Sequence, residues 1–195
     1  VKNTVACNSA TSGLWMACQA IGLKAGDEVI VSPWSMTCSA SMPILFGAIP
    51  VFADIEPDYY CLDPKSVEER ITDKTKAIIV VDLFGMPYDV PAISKLAFKH
   101  KLFIIEDAAQ AAGAKYNDRY AGTFGSIGVY SLNVHKHIQC GEGGIAVTDD
   151  DELALRLRLA MNHGEAVEND TVDPYQNIVG MNLRMTELSA AVARE

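Results

Sequence analysis

The sequence predicts an α/β fold in which helices cover both faces of a mostly parallel sheet of seven strands. Short apolar runs alternate with helical segments along most of the chain, which is typical of strands joined by crossover helices. Some runs, such as 77–82, are almost continuously hydrophobic, as expected of strands buried on both faces. Hydrophobic residues make up 49% of the 195 residues, which is enough for one sizeable core.

The predicted strands are short apolar runs bounded by turn-forming residues. Most are separated from the next strand by a helix, but the last two are joined without one. We therefore expect one of these two strands to run antiparallel. The seven strands are 4–7, Glu28–Val31, 49–53, 77–82, 102–105, Ile127–Ser131 and Gly144–Thr148.

The predicted helices lie between these strands and after the last one. Asp63 and Thr186 are the expected N-caps of the third and the last helix. Residues 8–13 are expected to form a turn, and the polar segment 163–176 a loop. The six helices are 14–21, 35–46, 64–71, Val90–His100, 150–161 and 186–193.

Charge and composition argue against several classes of protein. A net charge of −9 argues against nucleic acid as a partner, and no apolar run approaches the length that spans a membrane. The five cysteines are odd in number and lack metal or redox spacing, so we expect reduced thiols, no metal site and a cytoplasmic protein. Because the chain begins at Val1 in a strand-like run and ends within a helix, we expect residues 1–195 to be a fragment of a longer protein.

Three segments are expected at the ligand-binding edge of the sheet, since open α/β sheets bind ligands outside the carboxyl ends of their strands. They are 8–13, 106–110 and 131–136. In the first, Thr11 and Ser12 offer hydroxyl groups at the start of a helix, where free backbone N–H groups suit a phosphate. An ordinary helix cap is the alternative interpretation.

The other two segments carry the candidate chemical groups. Asp107 ends an apolar strand, where a carboxylate needs either a cationic ring nitrogen of a ligand or a structural ion pair. Gln110, three residues further on, is placed to hydrogen-bond the same ligand. Lys136 lies in a loop between two apolar strands and is either a solvated loop lysine or a nucleophile toward a carbonyl. A lysine nucleophile, an acid for a ring nitrogen and a phosphate cup together indicate pyridoxal phosphate.

Eight short motifs follow one another along nearly the whole chain: 8–13, 26–31, 47–54, 75–78, 105–110, 131–144, 162–164 and 182–187. In this order they resemble the DegT/DnrJ/EryC1/StrS aminotransferases, the sugar aminotransferase branch of fold-type-I pyridoxal phosphate enzymes. Any single motif is weak, and the set in order is specific. The resemblance implies that residues 1–195 form the cofactor-binding large domain, and that the small C-terminal domain of such enzymes is absent from this chain.

The resemblance also implies roles for the candidate residues. Lys136 matches the lysine that carries the cofactor as a Schiff base and moves the substrate's α-proton. Asp107 matches the acid at the pyridine nitrogen, and Gln110 the residue beside the ring hydroxyl.

Further positions match the phosphate end of the family's site. Thr11, Ser12 and Ser131 match residues around the phosphate. Asn182 matches an asparagine that reaches the phosphate in the neighbouring subunit's site, which implies a homodimer with shared active sites.

Two positions depart from the family's pattern. Met36 aligns where many members have an aromatic residue stacked on the cofactor ring, so either Met36 packs there or Trp34 supplies the ring. His135 precedes the lysine where many members have threonine.

The resemblance implies transfer of an amino group, with glutamate as the donor that the family suggests, to a keto group of a nucleotide-linked sugar. Three alternatives remain open at this point. A dehydratase variant of the family lacks the lysine and usually has histidine there, so Lys136 argues against it, although His135 and His137 lie beside it. A non-enzymatic protein that binds a nucleotide at the Thr11 turn is the second. A truncated, poorly active domain is the third.

Overall fold

Seven strands form one sheet in the computed structural model, which describes residues 1–165 and 178–195. They are β1 (Asn3–Cys7), β2 (Glu28–Val31), β3 (Ile49–Phe52), β4 (Thr75–Val81), β5 (Phe103–Asp107), β8 (Ile127–Ser131) and β9 (Gly144–Thr148), while β6 (Lys115–Tyr116) and β7 (Arg119–Tyr120) form a separate hairpin. Their order across the sheet is β1-β9-β8-β5-β4-β2-β3. The predicted seven-stranded sheet is confirmed.

Strand β9 runs against its two neighbours. It pairs antiparallel with β8 and with β1, whereas the pairings among β2, β3, β4, β5 and β8 are all parallel. The segment between β8 and β9 contains no helix, so the chain turns back beside β8, and the predicted antiparallel strand is confirmed. As a result Gly144, the first residue of β9, lies opposite Ser131, the last residue of β8.

Helices cover both faces of the sheet, as predicted. On one face the core contains Leu14 and Met16 of the first helix and Leu157 of the fifth. On the other face it contains Val67 and Ile93, from the third and fourth helices. The described helices are α1 (Ala10–Ala20), α2 (Cys38–Ile44), α3 (Pro64–Arg70), α4 (Val90–His100), α5 (Asp151–Met161) and α6 (Glu187–Ala193).

The first two helices begin at other residues than predicted. Helix α1 starts at Ala10, because the Ser9 side chain caps it by accepting a hydrogen bond from the Ser12 N–H. The expected turn over 8–13 was therefore wrong for residues 10–13, which are helical. Helix α2 starts at Cys38, three residues later than predicted, and no side chain caps it.

The other predicted caps are confirmed. Asp63 accepts a hydrogen bond from the Lys65 N–H at the start of α3, and Thr186 accepts one from the Ser189 N–H at the start of α6. The predicted loop over 163–176 lies outside the described residues from 166 onward.

Three further observations complete the fold. The β6–β7 hairpin was not predicted, because strands of two residues carry no readable alternation. All five cysteines are free. Within the residues described, no helix combines the length and apolarity needed to cross a membrane.

Candidate active site

A cavity of about 370 Å³ opens at the carboxyl ends of the strands, where the ligand was expected. Its volume lies within the range of roughly 300–1,000 Å³ that is usual for small-molecule sites. The predicted site residues that line it are Thr11, Met36, Asp107, Gln110, Ser131 and Lys136. The structure thus brings six of the predicted residues, from four separate segments of the chain, to one cavity.

Asp107 is buried at the end of β5 and is 4% exposed. Its carboxylate accepts hydrogen bonds from the Ser39 hydroxyl and from the Ala109 N–H, each at 3.2 Å. Burial raises the pKa of Asp107, against the opposing effects of these two donors and of the Lys136 charge. No Lys, Arg or His nitrogen of the described chain lies within 4.0 Å of this carboxylate, so the structural ion pair considered as an alternative is absent from that part.

The surroundings of Asp107 fit a cationic ligand. A buried carboxylate with only two neutral donors is unfavourable unless a positive charge joins it. The protonated ring nitrogen of pyridoxal phosphate supplies an N–H donor that carries such a charge. The cavity in front of Asp107 has room for a group of this kind.

Lys136 stands in a loop that is organised by Asn133. The Asn133 side-chain oxygen accepts a hydrogen bond from the His135 N–H at 3.1 Å, and its amide nitrogen donates to Glu142 at 2.7 Å. The backbone oxygen of Asn133 accepts the Lys136 N–H at 2.8 Å. One asparagine therefore links both arms of the loop and turns the chain so that Lys136 lines the cavity.

Gln110 lines the cavity, and a backbone hydrogen bond fixes its side-chain amide. The Gln110 Oε1 atom accepts a hydrogen bond of 2.7 Å from the Phe84 N–H, in the turn that follows β4. With the oxygen occupied, the Nε2 group is the free end, and among the described residues it donates to none. A donor at this position suits an acceptor oxygen on a ligand ring.

The phosphate end of the site lies at the start of α1. The first N–H groups of a helix have no partners within it and favour an anion, and Thr11 adds a hydroxyl there. Ser131 lines the cavity from the neighbouring strand β8. Ser12 does not line the cavity, and its hydroxyl instead donates to Asn8 at 2.6 Å.

Two other predicted residues also lie outside the cavity lining. Trp34 is 57% exposed, whereas Met36 lines the cavity, so of the two candidates for stacking only Met36 borders the site in this chain. Asn182 is exposed, forms an isolated bridge with Asn162 and does not line the cavity of its own chain.

Sequence reasoning missed the roles of Ser39 and Asn133. Ser39 sits in a segment that reads as an ordinary helix, so nothing local indicates that its hydroxyl reaches β5. Asn133 carried a weak signal, because an asparagine three residues before a loop lysine is a common turn former.

The comparisons with known proteins agree with this geometry. The sequence model of the DegT/DnrJ/EryC1/StrS aminotransferase family matches residues 1–195. The chain is 40% identical over 195 residues to UDP-N-acetyl-3-dehydro-alpha-D-glucosamine 3-aminotransferase of Acidithiobacillus ferrooxidans. The aligned residues cover 100% of this chain and 52% of that protein.

Two solved structures are similar in fold. The X-ray structure of an aminotransferase from Psychrobacter cryohalolentis matches with a TM-score of 0.91 and 39% identity, over 98% of this chain and 50% of that one. The crystal structure of NtdA from Bacillus subtilis with bound cofactor PMP matches with a TM-score of 0.85 and 32% identity, over 97% of this chain and 42% of that one. The chain thus spans about half the length of the proteins that it resembles.

Proposed function

Because the chain belongs to the DegT/DnrJ/EryC1/StrS aminotransferase family, we propose that the whole protein is a pyridoxal phosphate-dependent sugar aminotransferase. It moves an amino group, with glutamate as the expected donor, to a keto group on a nucleotide-linked sugar. One observation carries the proposal: Lys136 and the buried Asp107, which lacks a cationic partner among the described residues, line one cavity. The name of the Acidithiobacillus relative, a 3-aminotransferase for a dehydro UDP-sugar, supports the substrate class.

Each residue of the cavity has a definite task in this proposal. Lys136 Nζ would hold the cofactor covalently, and once free it would take the α-proton of the amino donor and deliver it to the aldehyde-derived carbon of the cofactor. Asp107 keeps a proton on the ring nitrogen. Thr11, Ser131 and the start of α1 hold the phosphate. The bound cofactor supplies an electron-withdrawing ring, which stabilises the charge left when the proton departs.

Supporting evidence for the cofactor comes from both the site and a relative. The site offers a covalent anchor, an acid without a counter-charge and an anion-binding helix start in one cavity. NtdA, a structural relative, was solved with bound PMP, the amine form of the same cofactor. Pyridoxal phosphate is therefore the cofactor that the described residues fit.

A homodimer with shared active sites is part of the proposal. Asn182 is exposed and does not line the cavity of its own chain, so its amide is accessible to a second copy. Large apolar side chains are exposed at the cavity edge of the sheet, where Trp34 follows β2, Phe84 follows β4 and Val134 follows β8. Exposed apolar groups of this kind favour a subunit contact.

The cytoplasm is the expected location. All five cysteines are free thiols in the structure, and two of them, Cys7 and Cys18, are completely buried. Unpaired thiols in this number are typical of a reducing compartment.

The test is an amino-transfer assay with the full-length protein. It is incubated with glutamate labelled with nitrogen-15 and a panel of nucleotide keto-sugars, and the products are read by mass spectrometry. Label on the sugar is the expected result, with Lys136→Ala as the inactive control. Formation of a deoxy sugar without label would establish the dehydratase alternative, and no change in any sugar would contradict both.

A further inference from the structure

Behind the active site, two buried carboxyl groups lie next to each other. Glu106 precedes Asp107 on β5, so its side chain points to the opposite face of the sheet. Asp82 follows the end of β4, two residues after Val80, which pairs with Glu106 in the sheet register. Both acids are 0% exposed. The cavity chemistry described above uses neither.

The Glu106 side chain is surrounded by hydrogen-bond donors, which stabilise a carboxylate. One of its oxygens accepts the Gly122 N–H, and the other accepts the N–H groups of Phe124 and Gly125 at 2.8 and 3.0 Å. Three backbone donors on one buried carboxyl group favour its charged form. Glu106 is therefore the member of the pair that carries the negative charge.

Asp82 has the opposite environment. Its Oδ1 atom accepts the Tyr88 N–H at 3.1 Å, but no group of the described chain donates to Oδ2. Burial, followed by the charge of Glu106, raises the pKa of Asp82 to about 9. A protonated Asp82 can donate to Glu106, which removes both the second charge and the orphaned oxygen.

Among residues 1–165 and 178–195, no Lys, Arg or His nitrogen lies within 4.0 Å of either carboxyl group to take the place of such a proton. The other titratable groups whose charges interact with the pair are Cys61 after β3, Tyr88 after the β4 turn, Asp107 on β5 and Tyr130 on β8, and Arg119 on β7 acts on Tyr88. Arg119 is the cation among them, and its guanidinium group lies over the Phe124 ring and donates to the Thr123 carbonyl.

The pair is connected to the active site through a turn. Asp82 holds the segment 82–88 in two ways, since its side chain accepts the Tyr88 N–H and its backbone oxygen accepts the Gly85 N–H at 3.3 Å. Between these bonds, Phe84 adopts a left-handed conformation with φ of 56°. In that conformation the Phe84 N–H donates a hydrogen bond of 2.7 Å to Gln110 Oε1.

We propose that Asp82, as the neutral partner of Glu106, is a positioning residue that fixes the 82–88 turn and so holds the Gln110 amide with its N–H₂ group toward the cofactor. The role of Gln110 toward the cofactor rests on the proposed function, whereas the neutral state of Asp82 beside Glu106 does not.

The test compares two variants of the full-length protein. Asp82→Asn keeps the acceptor for Tyr88 and provides a permanent donor to Glu106, whereas Asp82→Leu removes both. The variant Asp89→Asn is the matched control, since Asp89 is an exposed aspartate at the start of α4. Infrared difference spectra at neutral pH should show that the native protein loses a carbonyl band of a protonated carboxylic acid in Asp82→Asn and keeps it in Asp89→Asn. Any such band from Asp107, whose pKa is also raised, is common to all three proteins and cancels.

Pyridoxal phosphate titrations supply the second readout. Asp82→Asn should bind the cofactor within about twofold of the native protein, and Asp82→Leu roughly fivefold more weakly, which corresponds to one lost hydrogen bond. Native affinity should weaken as the pH rises through about 9, and that of Asp82→Asn should not.

Each deviation overturns a defined part of the argument. A native protein without the infrared band, or Asp82→Asn as weak as Asp82→Leu, would overturn the role of Asp82. If Asp82→Leu does not fold, the infrared band and the pH dependence of cofactor binding in Asp82→Asn still test whether Asp82 is protonated and holds the turn. A protein that shows the band but binds no pyridoxal phosphate would overturn the proposed function, and with it the role of Gln110 toward the cofactor.

Discussion

The Ser39 hydroxyl donates a hydrogen bond of 3.2 Å to the carboxylate of Asp107, although the two residues are 68 positions apart in the chain. This bond joins the start of α2 to the end of β5 behind the cavity. It fixes the direction of a carboxylate whose charge is not neutralised by any described cation.

Asp107→Asn should abolish most of the amino transfer in the full-length protein. Asparagine can still accept from Ser39, but it cannot hold a charged ring nitrogen, so we expect a loss of at least about 100-fold. Ser39→Ala removes one hydrogen bond to this carboxylate, worth about 1.5–3 kcal/mol because its acceptor is charged, and should cost at least roughly tenfold. Rates of the half-reaction with glutamate measure both. Near-normal rates in Asp107→Asn would show that the acid has another task.

Lys136 should carry the cofactor covalently. Borohydride reduction of the cofactor-loaded protein, followed by peptide mapping, should place a pyridoxyl group on Lys136, because this lysine lines the cavity. Lys115→Ala is the control, since Lys115 lies on the separate β6–β7 hairpin and stacks on Tyr120. The assignment fails if the label is found on any other lysine.

Subunit exchange tests whether the sites are shared. Full-length Lys136→Ala and Asn182→Ala should each be inactive or nearly so. In a mixed dimer with shared sites, one site carries both lesions and the other carries neither, so activity should reappear. If each chain supplies its own asparagine, every site keeps one lesion and the mixture stays inactive.

The stability of the cofactor-free protein should depend on Asp82 as the pH changes. Its pKa rises from an ordinary value of 3.8 to about 9 on folding, so between these values the folded state binds a proton that the unfolded state has lost. Stability must then fall as the pH rises, by about 1.4 kcal/mol per pH unit. The pKa of Asp107 is also raised and acts in the same direction, so the comparison has to be made with Asp82→Asn.

The comparison of the native protein with Asp82→Asn measures how the free energy of unfolding changes with pH. Urea unfolding of full-length protein at about pH 5 and about pH 8 should show the native protein losing stability relative to Asp82→Asn, by up to roughly 4 kcal/mol over this range. Equal slopes for the two proteins would mean that Asp82 is ionised in the folded state.

Gly144→Ala should distort the site without touching a cofactor-binding side chain. A β-carbon at Gly144 would lie 2.4 Å from the backbone carbon of Ser9, so β9 or the start of α1 must shift. We expect a stability loss of about 1–3 kcal/mol and weaker phosphate binding at α1. Thermal unfolding and titration with pyridoxal phosphate measure the two effects. An unchanged variant would show that the start of α1 is mobile enough to yield.

The sheet and the grouping of the candidate site residues at one edge could largely be predicted from the sequence. Strand ends of a parallel sheet meet at one edge, so placing Asp107 and Lys136 after strands already predicts that they share a site. The antiparallel direction of β9 followed from the missing crossover helix. These predictions depend on the order of elements and not on detailed packing.

The rest depends on contacts between distant segments. Asp82 reads as the last residue of an apolar strand, and its pairing with Glu106 becomes visible only when β4 and β5 are known to be neighbours. Ser12 looked like a phosphate ligand, but the helix starts earlier and its hydroxyl turns to Asn8. The position of Trp34 outside the cavity depends on how the chain leaves β2, which local propensity does not determine.

Because β9 runs antiparallel to β8, the loop that carries Lys136 begins and ends at neighbouring positions of the sheet. The residues flanking that loop, Ser131 and Gly144, lie opposite each other on two hydrogen-bonded strands, so the Lys136 amine belongs to a loop that is held at both ends. Side chains such as His135 and His137, which are exposed on that loop, can then be exchanged without moving the anchor points. Of these two residues only His135 lines the cavity, so under the proposed function it is the position at which redesign of substrate choice can begin.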